Sequence, residues 1–307
     1  MSENRWVHNQ QKPSSRFFKR LLPVLALLGA TGMWGSTFAI QKDLLTRISP
    51  FDFLGVRFAM AGVVAAVIFW PRLRRAGWGA WKYGLILGAL YTAGQELQTL
   101  GLQFTSASVT GFLTGMYVVL TPVVAYLVFR TRQNPKLWFA VGLATVGMAV
   151  MSLNGFALGI GEVTVLVSAV IYAIHVVLIE RFVKHADPIV LTAVQMIVVG
   201  FFSMLIALPG GVELPHGDFL VRDWAVIAYM AIFSGIGSLL LQTWAQSHMS
   251  ATRAAIVMTS EPVWSALFAV VLIHELITPR VVLGGTLIVG AMLVSQLDLP
   301  WLRRVRR

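Results

Sequence analysis

The chain has 307 residues, 57% hydrophobic and only 12% charged, with mean hydropathy +0.76, whereas a soluble domain carries about a quarter charged residues. An ordinary soluble domain is excluded, so the net charge of +11 reads as a membrane-topology signal and not as a nucleic-acid footprint. Cysteine is absent, which excludes disulfides, thiolate nucleophiles and Cys-based metal sites.

A basic, polar tail covers residues 1–20, and the apolar run after it lacks a small-residue cleavage site, so it is expected to stay as a first transmembrane helix. Charged and Pro/Gly-rich joints predict spans at 21–40, 52–70, 82–103, 107–129, 137–153, 159–181, 188–208, 223–246, 251–273 and 279–297. Each approaches the roughly 20 residues that cross about 30 Å of hydrocarbon. A second basic tail occupies 299–307. The joints Phe104–Ser106 and Leu153–Ile160 carry almost no charge and predict tight turns.

In chain order, the first span carries Trp34, and aligning Pro50 with Pro188 puts Tyr172 of the sixth span at the matching position. The second span holds Arg57 and the third Glu96, flanked by Gln95 and Gln98 and set toward the same end. These two are expected to form a gating or structural ion pair, with Glu96 also a candidate substrate ligand. The pairs Ala61/Ala65, Gly84/Gly88 and Gly111/Gly115 predict close helix contacts. Thr121-Pro122 in the fourth span and Glu261-Pro262 in the ninth are predicted helix breaks, because proline lacks the N–H and crowds an earlier carbonyl. His175 follows Tyr172 by three residues, on the same helical face. Both are candidates for lining an aromatic-rich pocket, the alternative for a lone histidine being a hydrogen bond to a neighbouring helix.

Glu261 lies about half-way along its span, where a charged side chain costs about 2.5–3.5 kcal/mol. It is therefore expected to bind a substrate amine or to carry a coupling proton, against the reading of a neutral acid hydrogen-bonded to another helix. Trp6, Trp78, Trp81, Trp138, Trp224 and Trp301 fall outside spans or near their ends and read as interfacial anchors.

With a cytoplasmic N-terminus, 19 of the 24 Lys and Arg residues fall on the cytoplasmic side, the asymmetry expected of inner loops. Both termini are therefore predicted to be cytoplasmic. At an offset of 144 the chain resembles itself: Leu97-Gln98-Thr99 matches Leu241-Gln242-Thr243, Ser106-Ala107-Ser108 matches Ser250-Ala251-Thr252, and Pro135 matches Pro279. Two halves, 21–155 and 156–298, with five spans each must enter the membrane from opposite sides. The predicted fold is thus an all-α integral membrane protein of ten transmembrane helices, built as two inverted five-helix repeats.

Trp34-Gly35-Ser36 with Phe38 and Lys42, Pro50 with Arg57, Gly101-Leu102-Gln103-Phe104-Thr105-Ser106-Ala107-Ser108, Gly111-Phe112-Leu113-Thr114-Gly115 and Glu261-Pro262-Val263 together resemble the EamA-like branch of the drug/metabolite transporter superfamily. The resemblance runs over essentially the whole chain after residue 21. It implies a ten-helix inverted-repeat transporter, usually in the bacterial inner membrane and often an exporter of small metabolites or amino acids. One departure is visible: His274-Glu275 stands where the family often has Gly-Glu, and histidine is costlier than glycine at positive φ.

The function expected is a secondary exporter of small metabolites such as amino acids or related amines, working by alternating access. Its partners would be the solute, the lipid bilayer and protons as a candidate coupling ion, with no cofactor, metal or nucleic acid. A carrier of sugar nucleotides or organic phosphates is the alternative, but it would need Lys or Arg deep in the spans to meet phosphate, and Arg57 alone qualifies. An integral membrane enzyme would need a nucleophile with its base, paired acids or a metal cluster, and the six histidines are scattered without such spacing.

Overall fold

The computed structural model describes residues 13–130, 135–152, 159–211, 221–249, 254 and 257–296. The C-terminal basic tail, residues 1–12 of the N-terminal one, most of the predicted turn at Leu153–Ile160 and the Ser250-Ala251-Thr252 segment lie outside the described residues.

Among the described residues every regular element is helical. In chain order these are α1 (Pro13–Leu44), α2 (Pro50–Leu73), α3 (Trp78–Phe104), α4 (Ala107–Gly115), α5 (Tyr117–Phe129), α6 (Pro135–Ser152), α7 (Ile160–Phe182) and α8 (Pro188–Ala207). They are followed by α9 (Val221–Tyr229), π-helical turns over Met230–Gly237, α10 (Ser238–His248), α11 (Glu261–Ile273) and α12 (Pro279–Gln296). Among the described residues six stretches are long and apolar enough to cross a membrane, and shorter apolar helices cover Phe139–Val150, Glu261–Ile273 and Pro279–Val294. α3 has 27 residues but carries a polar stripe of Gln95, Glu96, Gln98 and Thr99 that lowers its hydropathy.

Local chemistry sets the helix starts. The Ser49 hydroxyl accepts from Asp52 N at 3.1 Å and donates to the Asp52 carboxylate at 2.7 Å, with Pro50 supplying the preset φ of the first turn. Asp187 caps α8 at Ile189 N, 2.7 Å, ahead of Pro188. Ser106 caps α4 at Val109 N, 3.2 Å, so the Phe104–Ser106 joint is the tight turn expected of it.

Polarity is inverted relative to a soluble protein. On α7 the outward positions Val163, Val167 and Val170 are exposed, while Ser168, Tyr172 and His175 are buried. Val63, Val67 and Trp70 of α2, Phe201 and Leu205 of α8, and Val263, Leu267 and Val271 of α11 are likewise exposed. Gln95, Gln98, Gln195, Gln242, Thr243 and Gln246 are buried. A surface of valine, leucine and phenylalanine around a core in which amides and hydroxyls are set among buried aliphatic and aromatic side chains suits hydrocarbon and not water: this is a multi-pass membrane protein.

The packing has a reciprocal pattern. α1 lies against α10 and α11, near the end of the chain, while α7 lies against α3, α4 and α5. α2 runs along α8, and α6 along α12. The first helix after each basic or polar entry thus packs into the other part of the chain.

Three features differ from the sequence expectation. α1 begins at Pro13, earlier than the predicted span, because residues 14–20 contain no helix breaker after an N-terminal proline. The predicted eighth span is interrupted by the π-helical turns at Met230–Gly237, which displace its carbonyls from the usual pairing. The Ser234 carbonyl there accepts from Trp34 Nε1 at 3.2 Å and from the Ser238 hydroxyl. Lastly, the break in the fourth span falls at Met116, between α4 and α5, whereas Pro122 lies inside α5. Met116 N turns to Leu113 O at 3.1 Å, a tighter turn that relieves the chain one to two turns before the proline ring.

Candidate functional site

Where α1, α2, α3, the α4–α5 break, α7, α10 and the start of α11 converge, they line a cavity of about 50 Å³, room for a few waters. Trp34 and Thr37 face it from α1, Arg57 from α2, Tyr91, Gln95 and Gln98 from α3, and Thr114 and Tyr117 from the α4–α5 break. Tyr172 and His175 face it from α7, Gln242 from α10, and Met258 and Glu261 from the far side. The wall is aromatic and amide-rich, with one guanidinium and one carboxyl among the described residues.

Three pairs of these residues sit 144 positions apart: Gln98 with Gln242, Thr114 with Met258, and Tyr117 with Glu261. The third pair is in contact, the Tyr117 hydroxyl donating to Glu261 Oε2 at 3.0 Å. A break lies beside each member. Met116 interrupts the helix before Tyr117, and Ser260, 144 positions further on, closes the turn before Glu261, with Ser260 N on Val257 O at 3.1 Å. Pro262 follows that turn as an early residue of α11. The Ser260 hydroxyl also meets that of Thr31 at 2.9 Å.

A polar chain covers the opposite wall. Gln95 Nε2 donates to the Tyr172 hydroxyl at 2.8 Å, which donates to Gln98 Oε1 at 3.3 Å, while Gln98 Nε2 donates to Thr114 Oγ1 at 3.0 Å. Tyr91 packs on Tyr172 and His175 with ring centres 5.9 and 5.3 Å away. His175 Nε2 pairs with Gln195 Oε1 at 2.8 Å, so the histidine is both a cavity residue and a tie to α8. Among the described residues no three His, Cys, Asp or Glu side chains gather as metal ligands would.

The expected Arg57–Glu96 ion pair does not form. Arg57 faces the cavity and stacks on Phe58, its guanidinium carbon 4.7 Å from the ring centre. Glu96 is absent from the cavity wall. Its neighbours Gln95 and Gln98 face the cavity, and a step of one residue turns about 100° around a helix, which directs Glu96 toward the Ser203 hydroxyl of α8. No hydrogen bond closes there, and both Glu96 carboxyl oxygens and Ser203 Oγ are buried without a partner among the described residues.

One end of the bundle is tied shut. Lys42 Nζ donates to the carbonyls of Leu102, Gln103 and Thr105 at 2.6, 3.1 and 2.7 Å, collecting the orphan acceptors of the α3 C-terminus. Glu275 receives Ala107 N at 3.1 Å, Ser108 N at 3.4 Å and the Ser108 hydroxyl, which places an anion at the α4 N-terminus. Arg47 grips Asp223 through both oxygens at 2.7 and 3.1 Å and Asp43 at 2.9 Å. The Asp223 carboxylate holds that guanidinium above its ordinary pKa. At the other end Gln246 Nε2 of α10 donates to Val176 O of α7 at 3.4 Å, and beyond that bond a hollow of about 550 Å³ lies among Glu180, Lys184, Gln246, Ser247 and Met249.

The structure brings Trp34, Tyr172, His175 and Glu261 together, adds Arg57, and leaves Glu96 and Pro122 outside. Sequence reasoning missed Tyr91, Gln98, Thr114, Tyr117 and Gln242 as wall residues. The Gln98/Gln242 match was visible as a repeat, and counting back 144 from Glu261 finds Tyr117.

The family model of the EamA-like transporter family matches the chain twice, over residues 21–153 and 159–296. An uncharacterized transporter of Archaeoglobus fulgidus is 30% identical over 289 residues, covering 94% of this chain and 90% of its own length. The uncharacterized transporter YoaV of Bacillus subtilis is 24% identical, covering 86% and 93%. A chloroplastic WAT1-related protein of Arabidopsis thaliana is also 24% identical, covering 84% of this chain and 66% of its own. A solved crystal structure shares the fold with TM-score 0.65 at 18% identity, covering 93% of this chain and 99% of that one.

Proposed function

This chain belongs to the EamA-like transporter family, and from that premise we propose that it exports small metabolites, amino acids or related amines, by alternating access. The site is the cavity around Glu261. Ten spans in two inverted five-helix repeats, with both termini cytoplasmic in a bacterial inner membrane, make up the machine. The double family match, the reciprocal packing of α1 and α7 and the 144-residue pairs support the duplication.

The observation that carries the reading is the Tyr117–Glu261 contact. Equivalent positions of the two halves meet there, each beside a helix break, as expected of a contact on the axis that relates two inverted repeats, about which one half rocks against the other. The ties at the Lys42 end and the hollow at the Lys184 end support a state shut on the Lys42 side. Positive-inside sorting puts the Lys42 end outside. A carrier of phosphorylated solutes fits less well, because among the described residues a single guanidinium faces the cavity.

The test is efflux of radiolabelled amino acids from proteoliposomes, with and without an imposed pH gradient. Loss of efflux with the Glu261→Ala chain, at preserved folding, is expected. Wild-type liposomes no leakier than empty ones for amino acids and their amines would overturn the proposal.

A further inference from the structure

Among the described residues the cavity holds a buried cation without an anion beside it. Arg57 is 2% exposed, lines the same space as Glu261, and among the described residues its Nε and Nη1 have no hydrogen-bond partner. The rings of Phe58 and Phe53, at 4.7 and 5.9 Å from the guanidinium carbon, orient the group but do not neutralise it. Buried charges are ordinarily paired and hydrogen-bonded. Neither carboxyl nearby in sequence depth does this: Glu96 turns to α8, and Glu261 takes its hydrogen bond from Tyr117.

We propose that Arg57 is the carboxylate anchor of the transport cavity, so that the solute is a zwitterion with its carboxylate on Arg57 and its ammonium on Glu261. The assignment rests on the reading of this cavity as the solute site. A plain amine would satisfy Glu261 and leave Arg57 unpaired. A plain anion would satisfy Arg57 and add a second acid beside Glu261. Only a molecule bearing both charges matches both groups, and the guanidinium suits a carboxylate because its planar N–H groups align with two oxygens. Trp34, Tyr91 and Tyr172 then take the apolar part of the solute.

The experiment uses the purified full chain and the twenty protein amino acids singly, each beside its amide and its decarboxylated amine, read by thermal stabilisation and by counterflow in proteoliposomes. At least one amino acid is expected to bind, with its amide on the order of 10- to 100-fold weaker. Arg57→Gln is expected to bind acid and amide alike, and Arg57→Lys to keep a reduced preference for the acid. A folded Arg57→Gln chain that still prefers the acid overturns the assignment. So does a wild type that takes amides or amines as well as acids, an outcome that leaves the solute reading standing and needs no variant to fold. A wild type indifferent to every probe overturns both.

Discussion

Tyr117 and Glu261 lie 144 residues apart, one in each of the two stretches that match the family model, and meet through a hydrogen bond of 3.0 Å. Both are buried. Tyr117→Phe strands a carboxyl oxygen and is expected to cost about 1–3 kcal/mol, read as a lower midpoint in a detergent unfolding titration. Glu261→Gln keeps an acceptor for the tyrosine and is expected to fold nearly as well. It is also expected to abolish the response of efflux to a pH gradient, because an amide has no proton to give. Gradient-driven efflux that survives in Glu261→Gln assigns the coupling elsewhere.

The helical membrane architecture was legible in the sequence because hydropathy reports directly on what must face lipid. So was the spine of the site: Glu261 stood out by its cost, and Trp34 and Tyr172 by matched spacing from Pro50 and Pro188. The partner of Glu261 was hidden because Tyr117 lies in the run YVVL, where a tyrosine is unremarkable until the repeat offset is applied. Arg57 and Glu96 were misjoined for a rotational reason. Equal depth along two helices does not fix which way each side chain faces, and one residue of rotation separates Glu96 from the cavity face of α3. The π-helical turns that seat Trp34 leave no compositional trace in an apolar segment.

The GxxxG pair at Gly111 and Gly115 marks the crossing of α4 with α11. A Cβ at Gly111 would fall on the side chain of Ser265, whose hydroxyl donates to Ala107 O at 3.1 Å. Gly111→Ala is therefore expected to push the helices apart at a cost of about 1–3 kcal/mol. Gly142→Ala in α6 meets open space and is expected to stabilise by up to about 1 kcal/mol through helix propensity. Equal midpoints for the two variants would show that the crossing tolerates a methyl group.

His274 ends α11 with φ 51°, and Arg130 ends α5 with φ 51°, again 144 residues apart. The turn expected of glycine is thus retained by histidine, with Glu275 N closing on Ala269 O at 3.0 Å. His274→Gly is expected to relieve the left-handed strain and raise stability by about 0.5–1 kcal/mol after the entropy of glycine is subtracted. His274→Val is expected to lower it. The same unfolding titration reads both, and a destabilised glycine variant would mean that the imidazole itself holds the turn.

Lys42 and Arg47 close the same end of the bundle by different means, one on three backbone carbonyls and the other on Asp223. The half-buried Lys42 gives three charge-assisted hydrogen bonds of about 1.5–3 kcal/mol each, whereas the exposed Arg47 pairs are worth about 0.2–1 kcal/mol each. Losing the Lys42 cluster should therefore shift the closed-to-open ratio by about 10-fold or more, and losing the Arg47 cluster by less. The chain contains no cysteine, so a single Thr37→Cys change reports access to the cavity wall cleanly. In that background, labelling by a membrane-impermeant thiol reagent from the Arg47 side is expected to accelerate with Lys42→Met or Arg47→Ala. Lys184→Met, at the opposite end and more than half exposed, should leave the rate near its starting value. Unchanged labelling in Lys42→Met would mean that the α3 terminus is held by its own packing and that the lysine is not the closure.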